Sequence, residues 1–130
     1  MKTILLANND VSVRVAQKDI LTKFGYEIVG ETDTVKQTVK EFEELMPDLA
    51  IVGFNPYAFD GILAIKEMRN IDNKAMFVVS SDFSAHSAVI EAIQIGVMDW
   101  VSATLPLNQE QLLRAVRGIG VSEDSSLSHS

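Results

Sequence analysis

The chain contains no cysteine, only three prolines and a single tryptophan among its 130 residues. Without cysteine it has no disulfide framework, no thiolate metal site and no thiol nucleophile. Basic residues are also scarce, since 11 lysines and arginines stand against 18 acidic residues and give a net charge of −7. Such a surface lacks the electrostatic footprint of a nucleic-acid binder and is repelled by anionic lipid. We therefore expect neither nucleic-acid nor membrane partners.

Long apolar runs are missing as well. No stretch approaches the roughly 20 apolar residues that span a bilayer, and the first residues lack the ordered regions of a signal peptide. The composition that remains, 47% hydrophobic and 22% charged, is ordinary for a globular domain and suffices for one core. We expect a cytoplasmic protein with one domain over residues 1–118. Residues 119–130 are polar and aperiodic, which predicts a disordered tail.

Short apolar runs alternate with amphipathic stretches along the chain. The runs at 3–7 and 49–52 are continuous, which is typical of strands buried on both faces. Further strands are predicted at 26–29, closed by Gly30, at 75–79 and near Trp100. Helices are predicted between them: 11–24 before Gly25, 35–45 between a capping box at Thr34 and Gln37 and a stop at Pro47, 62–68, 87–95, and from Asn108 to just before Gly118.

This alternation predicts an α/β fold, a doubly wound five-stranded parallel sheet with five helices. In such a sheet, ligands bind outside the carboxyl ends of the strands, where the strand order reverses. The residues expected there are amides, hydroxyls and a glycine, with one carboxylate and no lysine. They are Asn8, Asn9 and Asp10 after the first strand, Gly53, Phe54 and Asn55 after the third, Ser80 and Ser81 after the fourth, and 102–106 after the fifth.

The order and spacing of these segments resemble a response-regulator receiver domain, especially the single-domain chemotaxis type. The resemblance covers about residues 1–117. It is carried by 2–10 with Arg14, 47–52, 60–62, 77–81, 95–100 and 105–107. It implies a flavodoxin-like fold of the receiver type and a place in a phosphorelay, or two-component, signalling system.

A receiver domain accepts a phosphoryl group from a histidine kinase onto an aspartate at the end of its third strand. The resemblance implies that two acidic residues after the first strand, that aspartate and a backbone carbonyl two residues beyond it hold Mg²⁺. It also implies that a Ser or Thr after the fourth strand and a Lys after the fifth contact the phosphoryl oxygens. These types suit the chemistry, because Mg²⁺ prefers hard oxygen ligands and phosphoryl transfer develops negative charge.

This chain departs from that pattern at almost every position. The acidic pair corresponds to Asn8 and Asn9, and counting from both flanking motifs places Gly53 at the phosphoacceptor position, with Asn55 two residues beyond it. Ser80 alone keeps the expected hydroxyl.

The position of the family's lysine depends on the anchor used for counting. It falls on Ala103 when counted from Trp100 and on Leu105 when counted through Leu105–Pro106. The two anchors indicate an insertion after the fifth strand, and neither supplies a lysine.

The losses are physically consistent with one another. Removing one partner of a buried charge pair costs roughly 3–5 kcal/mol, but here the anions and the cation are absent together. We therefore expect a neutral pocket with no cofactor and no Mg²⁺. Two acids remain as substitutes, Asp10 and Asp60; the favoured interpretations are a cap on the first helix for Asp10 and an Asp-Gly turn for Asp60.

The leading prediction is an atypical receiver, or pseudo-receiver, that has no enzymatic activity and works by protein–protein interaction without aspartyl phosphorylation, as a monomer or weak dimer. Receivers usually offer partners the face formed by the fourth helix, fifth strand and fifth helix. The candidates on that face are Ile90, Gln94, Trp100, Gln111 and Arg114. Ile93, in contrast, is expected to pack on the sheet. Trp100 serves either as a rotamer switch, as the resemblance implies, or as a packing anchor.

Two alternatives remain open. One is a phosphorelay receiver that is phosphorylated at a non-standard residue, for which Asp10 and Asp60 are the candidates. The other is a flavodoxin-like protein that binds a nucleotide or flavin. That reading needs a Gly- or Ser/Thr-rich phosphate loop after the first strand, and residues 8–12 do not supply one.

Overall fold

The computed structural model describes residues 2–82 and 86–128, with side chains described as far as Gly118. In chain order the strands and helices alternate. They are β1 (Thr3–Ala7), α1 (Val11–Lys23), β2 (Glu27–Thr32), α2 (Val35–Leu45), β3 (Leu49–Gly53), α3 (Gly61–Ile71), β4 (Met76–Ser80), α4 (His86–Gln94), β5 (Asp99–Val101) and α5 (Gln109–Ser128). No helix in these ranges is long and apolar enough to cross a membrane.

The five strands form one sheet in the order β2-β1-β3-β4-β5, and each neighbouring pair is parallel. The predicted doubly wound fold is confirmed. The strand order reverses between β1 and β3. From β1 the chain continues to β2 at one edge of the sheet, and from β3 it continues through β4 to β5 at the other edge. The carboxyl ends of β1 and β3 therefore frame the crevice where this class of sheet binds ligands.

Each face of the sheet carries its own core. In β1, Leu5 and Ala7 pack on the side of α2 and α3, whereas Ile4 and Leu6 pack on the side of α5. All four are fully buried. Successive strand residues point to opposite faces, so an unbroken apolar run is what a strand covered by helices on both sides requires.

Helix starts follow the local sequence signals. Asp10, Thr34 and Asn108 each accept a hydrogen bond from a backbone N–H three residues later, at 3.2, 3.1 and 2.9 Å. Asp60 does the same for Leu63 at 3.0 Å, so it caps α3 directly. These caps satisfy N–H groups that the first helical turn leaves without partners.

The predicted ends of β2 and of the last helix differ from the structure. Gly30 does not close β2, which continues to Thr32 because parallel pairing with β1 persists to Ala7. A Cβ at Gly30 would lie 2.8 Å from Glu41 Oε1, so the glycine permits close packing of α2. α2 ends at Leu45 as predicted, and its C-cap residue Met46 adopts the left-handed conformation with φ 45° one residue before Pro47.

The last helix was predicted to end before Gly118, but α5 is assigned through Ser128. Within the predicted disordered tail, 119–130, the backbone of 119–128 belongs to α5, whereas the side chains from 119 onward and residues 129–130 lie outside the described part of the chain. The disorder of this tail stays a prediction.

Candidate functional site

A cavity of about 110 Å³ opens at the carboxyl ends of β1, β3 and β4. It is lined by Asn8, Asn9, Asp10, Val13, Phe54, Asn55, Ser80, Ser81, Asp82 and Ala103. The structure therefore brings together most of the residues that the sequence placed at this edge. None of these lining residues, all within the described ranges, is a lysine or an arginine.

Gly53, which is not itself part of the cavity lining, is in close contact with Asn8, which is. A Cβ built on Gly53 would lie 2.7 Å from Asn8 Cγ, 2.8 Å from its Nδ2 and 3.0 Å from its Oδ1. Real Cβ contacts are essentially never that short, and the backbone of Gly53 is extended β3. The Asn8 amide thus occupies the space that a side chain at position 53 would need.

Asn8 is held in place from several sides. Its Oδ1 accepts a hydrogen bond from the Asp10 N–H at 2.9 Å, and its own N–H donates to the Thr32 carbonyl at 2.9 Å. The Arg14 guanidinium donates to the Asn8 carbonyl, while Arg14 Nε lies 3.6 Å from the Glu31 carboxylate. Arg14 therefore holds the backbone of the β1–α1 turn and pairs with an acid outside the cavity lining.

Gln17 is a functional candidate that the sequence analysis missed. It lies on the buried stripe of α1 between Val13 and Leu21 and donates through Nε2 to Ser80 Oγ at 2.8 Å. Both side chains are 1% exposed. The signal was present, since a polar residue at the four-residue spacing of a buried stripe requires an internal partner.

The remaining rim is tied by local hydrogen bonds. Ser81 Oγ donates to the Phe54 carbonyl, and Asn55 Oδ1 accepts from the Tyr57 N–H at 2.9 Å. Asp82 was also missed; its Oδ1 accepts from Thr104 Oγ1 at 2.7 Å and so joins the β4–α4 and β5–α5 loops. Only the folded loops bring Asp82 to the cavity.

The two substitute acids are separated in the structure. Asp10 lines the cavity but uses Oδ1 to cap α1. Asp60 lies outside that cavity, caps α3, and lines a second groove with Ile62, Ala88 and Glu91. Within the described residues, no group of three or more histidines or acids is arranged to hold a metal ion.

The loop after β5 separates the two candidates for the lysine position. Ala103 lines the cavity, whereas Leu105 does not and its side chain is 46% exposed. Counting from Trp100 therefore identifies the residue that faces the cavity. Leu105 lies two residues further along the loop and outside the cavity lining.

The predicted partner face has an exposed apolar centre on α4. Ile90 is 41% exposed and Ile93 is 67% exposed. The prediction that Ile93 packs on the sheet is wrong, because Ala88 and Ala92 are the buried residues of α4 and Ile93 follows on the other side of the helix. Gln94, also on α4, is exposed.

β5 and α5 add anchored residues to this face. Trp100 is half-buried and meets Phe54 edge-on, with ring centroids 5.8 Å apart. Gln111 Oε1 accepts from the Ser102 N–H at 3.0 Å, and Arg114 pairs with Glu110 at 2.7 Å. In this arrangement Trp100 packs as an anchor, and its contact with Phe54 connects the face to the cavity wall.

Comparison with known proteins agrees with this architecture. Residues 4–117 match the response regulator receiver domain family. The chain is 34% identical over 113 residues to the chemotaxis protein CheY of Bacillus subtilis, covering 87% of this chain and 92% of that protein. It is 36% identical over 100 residues to the CheY of Thermotoga maritima, covering 77% and 83%.

Solved structures give the same fold at lower identity. A CheY-like receiver domain protein from Methanospirillum hungatei superposes with a TM-score of 0.84 at 16% identity, covering 97% of this chain and 98% of that one. The CheX–CheY–BeF₃–Mg²⁺ complex of Borrelia burgdorferi matches with a TM-score of 0.84 at 17% identity, covering 92% and 90%. From the family match, the CheY relatives and the sheet order together, the chain belongs to the response regulator receiver domain family.

Proposed function

We propose that this chain is an atypical receiver that signals through protein–protein contacts and is not phosphorylated on an aspartate. The observation that carries the proposal is the close contact between Gly53 and Asn8. Glycine offers no acceptor oxygen, and a Cβ at position 53 would lie 2.7 Å from Asn8 Cγ, so any side chain there requires the Asn8 amide to move. The cavity lies where a receiver domain has its phosphorylation site, and neither Asn8 nor the adjoining Gly53 carries a charge.

The donor set also does not fit Mg²⁺. The ion demands near-octahedral oxygen ligands, usually including carboxylates, and the residues after β1 and β3 present Asn8, Asn9 and Gly53. The carboxylates of Asp10 and Asp82 each already accept a hydrogen bond at the rim. The proposal therefore includes no metal cofactor.

The output surface in this proposal is the face of α4, β5 and α5. Its centre is the exposed pair Ile90 and Ile93, flanked by the polar side chains of Gln94 and Arg114. An apolar centre with a polar rim is the usual anatomy of a protein interface. The Borrelia burgdorferi relative, solved in a complex of CheX with CheY, supports a protein partner of a signalling system.

Phosphorylation at a non-standard residue receives less support. Asp60 lies outside the cavity, and Asp10 is committed to the α1 cap. Among the described residues that line the cavity there is no lysine or arginine. A phosphoryl group there would therefore lack the cation that offsets its developing negative charge. The flavodoxin-like alternative likewise lacks a phosphate-binding loop in the turn after β1.

Phosphoryl transfer can be tested directly. The chain is incubated with Mg²⁺ and a small-molecule phosphodonor, then weighed intact by mass spectrometry, beside a receiver that retains its aspartate. We expect no added phosphoryl group on the wild-type chain and complete or partial labelling of the control. Labelling of the wild-type chain that is lost in Asp10→Asn would contradict the proposal.

A restored variant sharpens the comparison. Asn8→Asp, Asn9→Asp, Gly53→Asp and Ala103→Lys together return the acidic pair, the acceptor and the cation that the resemblance implies. Gly53→Asp alone is the matched control, because it supplies the acceptor carboxylate without the acidic pair and without the cation. We expect the fourfold variant to take up more phosphoryl group than this single variant does.

A further inference from the structure

The Gln17–Ser80 hydrogen bond is the most deeply buried side-chain contact at the edge of the cavity. It joins α1 to the last residue of β4 across 63 positions of sequence, at 2.8 Å, with both side chains 1% exposed. A buried hydrogen bond cannot be exchanged for water without opening the core, so breaking it leaves a polar group unsatisfied. It therefore resists any displacement of β4 relative to α1.

Ser80 connects the hydrogen bond from α1 to both neighbouring strands of the sheet. Its backbone is paired with Gly53 of β3 on one side and with Val101 of β5 on the other. Its carbonyl accepts from the Phe54 N–H at 3.3 Å, and the next residue, Ser81, donates its N–H to the Val101 carbonyl at 2.9 Å. A shift of Ser80 would thus disturb both neighbouring strands at the same level.

Phe54 directly follows β3, and Trp100 lies in β5. Val79, one residue before Ser80, is paired with Trp100 in the sheet, and Phe54 packs on the indole at a centroid distance of 5.8 Å. Trp100 lies on the face with Ile90 and Ile93. Contacts therefore link α1 to Ser80 and, through the strands on either side of it, to the Phe54 and Trp100 rings.

We propose that Gln17 is a positioning residue whose hydrogen bond to Ser80 acts as a latch, holding the end of β4 and the Trp100 ring in one arrangement. The latch explains why a polar side chain occupies the buried stripe of α1 between Val13 and Leu21. This inference rests on the proposed function, because the surface that the latch would hold in place is the face of α4, β5 and α5 proposed to bind a partner.

The test compares Gln17→Met, Ser80→Ala and the double variant with the wild-type chain. Methionine keeps the length of the side chain and removes its donor. Two readouts report the latch: acrylamide quenching of Trp100, the chain's only tryptophan, and amide hydrogen exchange at Ser81. We expect stronger quenching and roughly tenfold or faster exchange in both single variants. The double variant should match them, because one bond is removed in each case.

Thr32→Val is the matched control. It removes another buried hydroxyl contact, the 2.7 Å bond between Thr32 and Thr38 at the opposite edge of the sheet. It should lower stability without changing Trp100 quenching. If Gln17→Met does not fold, Ser80→Ala decides the question with the same readouts.

Two results would overturn the latch. The first is that the single variants lose as much stability as Thr32→Val does, while their Trp100 quenching and Ser81 amide exchange stay at the wild-type values. The other is a double variant whose changes equal the sum of the singles. Neither measurement involves a phosphodonor, so failure of the latch leaves the proposed function standing. Failure of the proposed function would instead appear as labelling of the wild-type chain.

Discussion

Two glycines control how the end of β3 packs. A Cβ on Gly53 would meet the Asn8 side chain at 2.7 Å, and a Cβ on Gly61 would meet the Gly53 carbonyl oxygen at 2.0 Å. The first neighbour is a side chain that a mutation can remove, whereas the second is backbone. The two positions therefore separate crowding that Asn8 causes from crowding that the fold itself causes.

Gly53→Ala should lower the free energy of unfolding by about 1–3 kcal/mol, as overpacking does in a well-filled core. In an Asn8→Ala background the same change should cost much less, because the methyl group then has room. Urea unfolding of the four chains in this cycle measures the difference.

Gly61→Ala supplies the control for that cycle. Its clash is with backbone, so its effect should be at least as large as that of Gly53→Ala and should not depend on residue 8. Equal losses for Gly53→Ala in both backgrounds would show that Asn8 does not fill the position.

Some side chains could be interpreted from the sequence and others could not. Asp10, Thr34 and Asn108 were predictable as caps, because a cap is decided within three residues of chain. Gln17 and Asp82 acquire their roles from Ser80 and Thr104, which lie far away in sequence. Only the tertiary fold supplies those partners.

The starts of β1 and β3 are joined by an exposed contact between Thr3 and Asp48. Asp48 Oδ2 accepts from the Thr3 N–H at 2.8 Å and from its hydroxyl at 3.0 Å. The backbone hydrogen bond from Thr3 is the main cause that lowers the pKa of Asp48 from its ordinary value of 3.8, and the side-chain bond and Lys2 act in the same direction against desolvation.

A lowered pKa makes Asp48 stabilising only while it is ionised. Its contribution is complete above the unfolded-state pKa, near 3.8, and is lost as the pH falls through the lower folded-state pKa. Asp48→Ala should therefore reduce stability at neutral pH, and the gap to the wild-type chain should shrink below that pH. Thermal unfolding across the acid range measures it.

Asp48→Asn is the companion variant. It keeps an acceptor for the Thr3 N–H and removes the charge, so its loss at neutral pH should be smaller than that of Asp48→Ala. A gap between Asp48→Ala and the wild-type chain that stays constant down to the lowest pH would argue against a role for the charge.

The order and type of the elements could be predicted from the pattern of apolar residues. A strand buried on both faces gives a continuous apolar run, whereas a helix buried on one face repeats its apolar residues at every third or fourth position. Element ends were less predictable. β2 continues through Gly30 because pairing with β1 continues, which its own residues do not specify. Ile93 was misplaced for a related reason: a short apolar helix such as α4 does not reveal which stripe faces the sheet, and Ala88 and Ala92 take that side.

The exposed face of the molecule gives a prediction about partners. Ile93→Asp should leave stability within about 0.5 kcal/mol of the wild-type chain, because surface substitutions seldom do more and this side chain is 67% exposed. It should weaken partner binding, since a charge at the centre of an apolar contact must be desolvated. Affinity capture with quantitative mass spectrometry compares the bound proteins.

Val15→Asp is the control for that comparison. Val15 is 51% exposed on α1, which is not one of the three elements of the face, and it receives the same change in charge. Proteins lost from Ile93→Asp and retained by Val15→Asp identify the face. Equal loss from both variants would mean that added charge, and not the position, weakens binding.

The position of the lysine equivalent shows what sequence counting leaves open for the site as a whole. Two anchors, Trp100 and Pro106, gave Ala103 and Leu105, and neither anchor is preferable on local grounds. Only the path of the loop after β5 brings Ala103 to the cavity and leaves Leu105 exposed.

The account depends most on a crevice that binds neither Mg²⁺ nor a mimic of an aspartyl phosphate, and calorimetric titration tests this most directly. Mg²⁺ is added first, then Mg²⁺ with beryllofluoride, a mimic of an aspartyl phosphate, while Trp100 fluorescence is followed in parallel. We predict no saturable heat and no change in emission in either titration. Saturable binding that disappears in Asp10→Asn would contradict the account and favour a receiver that still accepts a phosphoryl group.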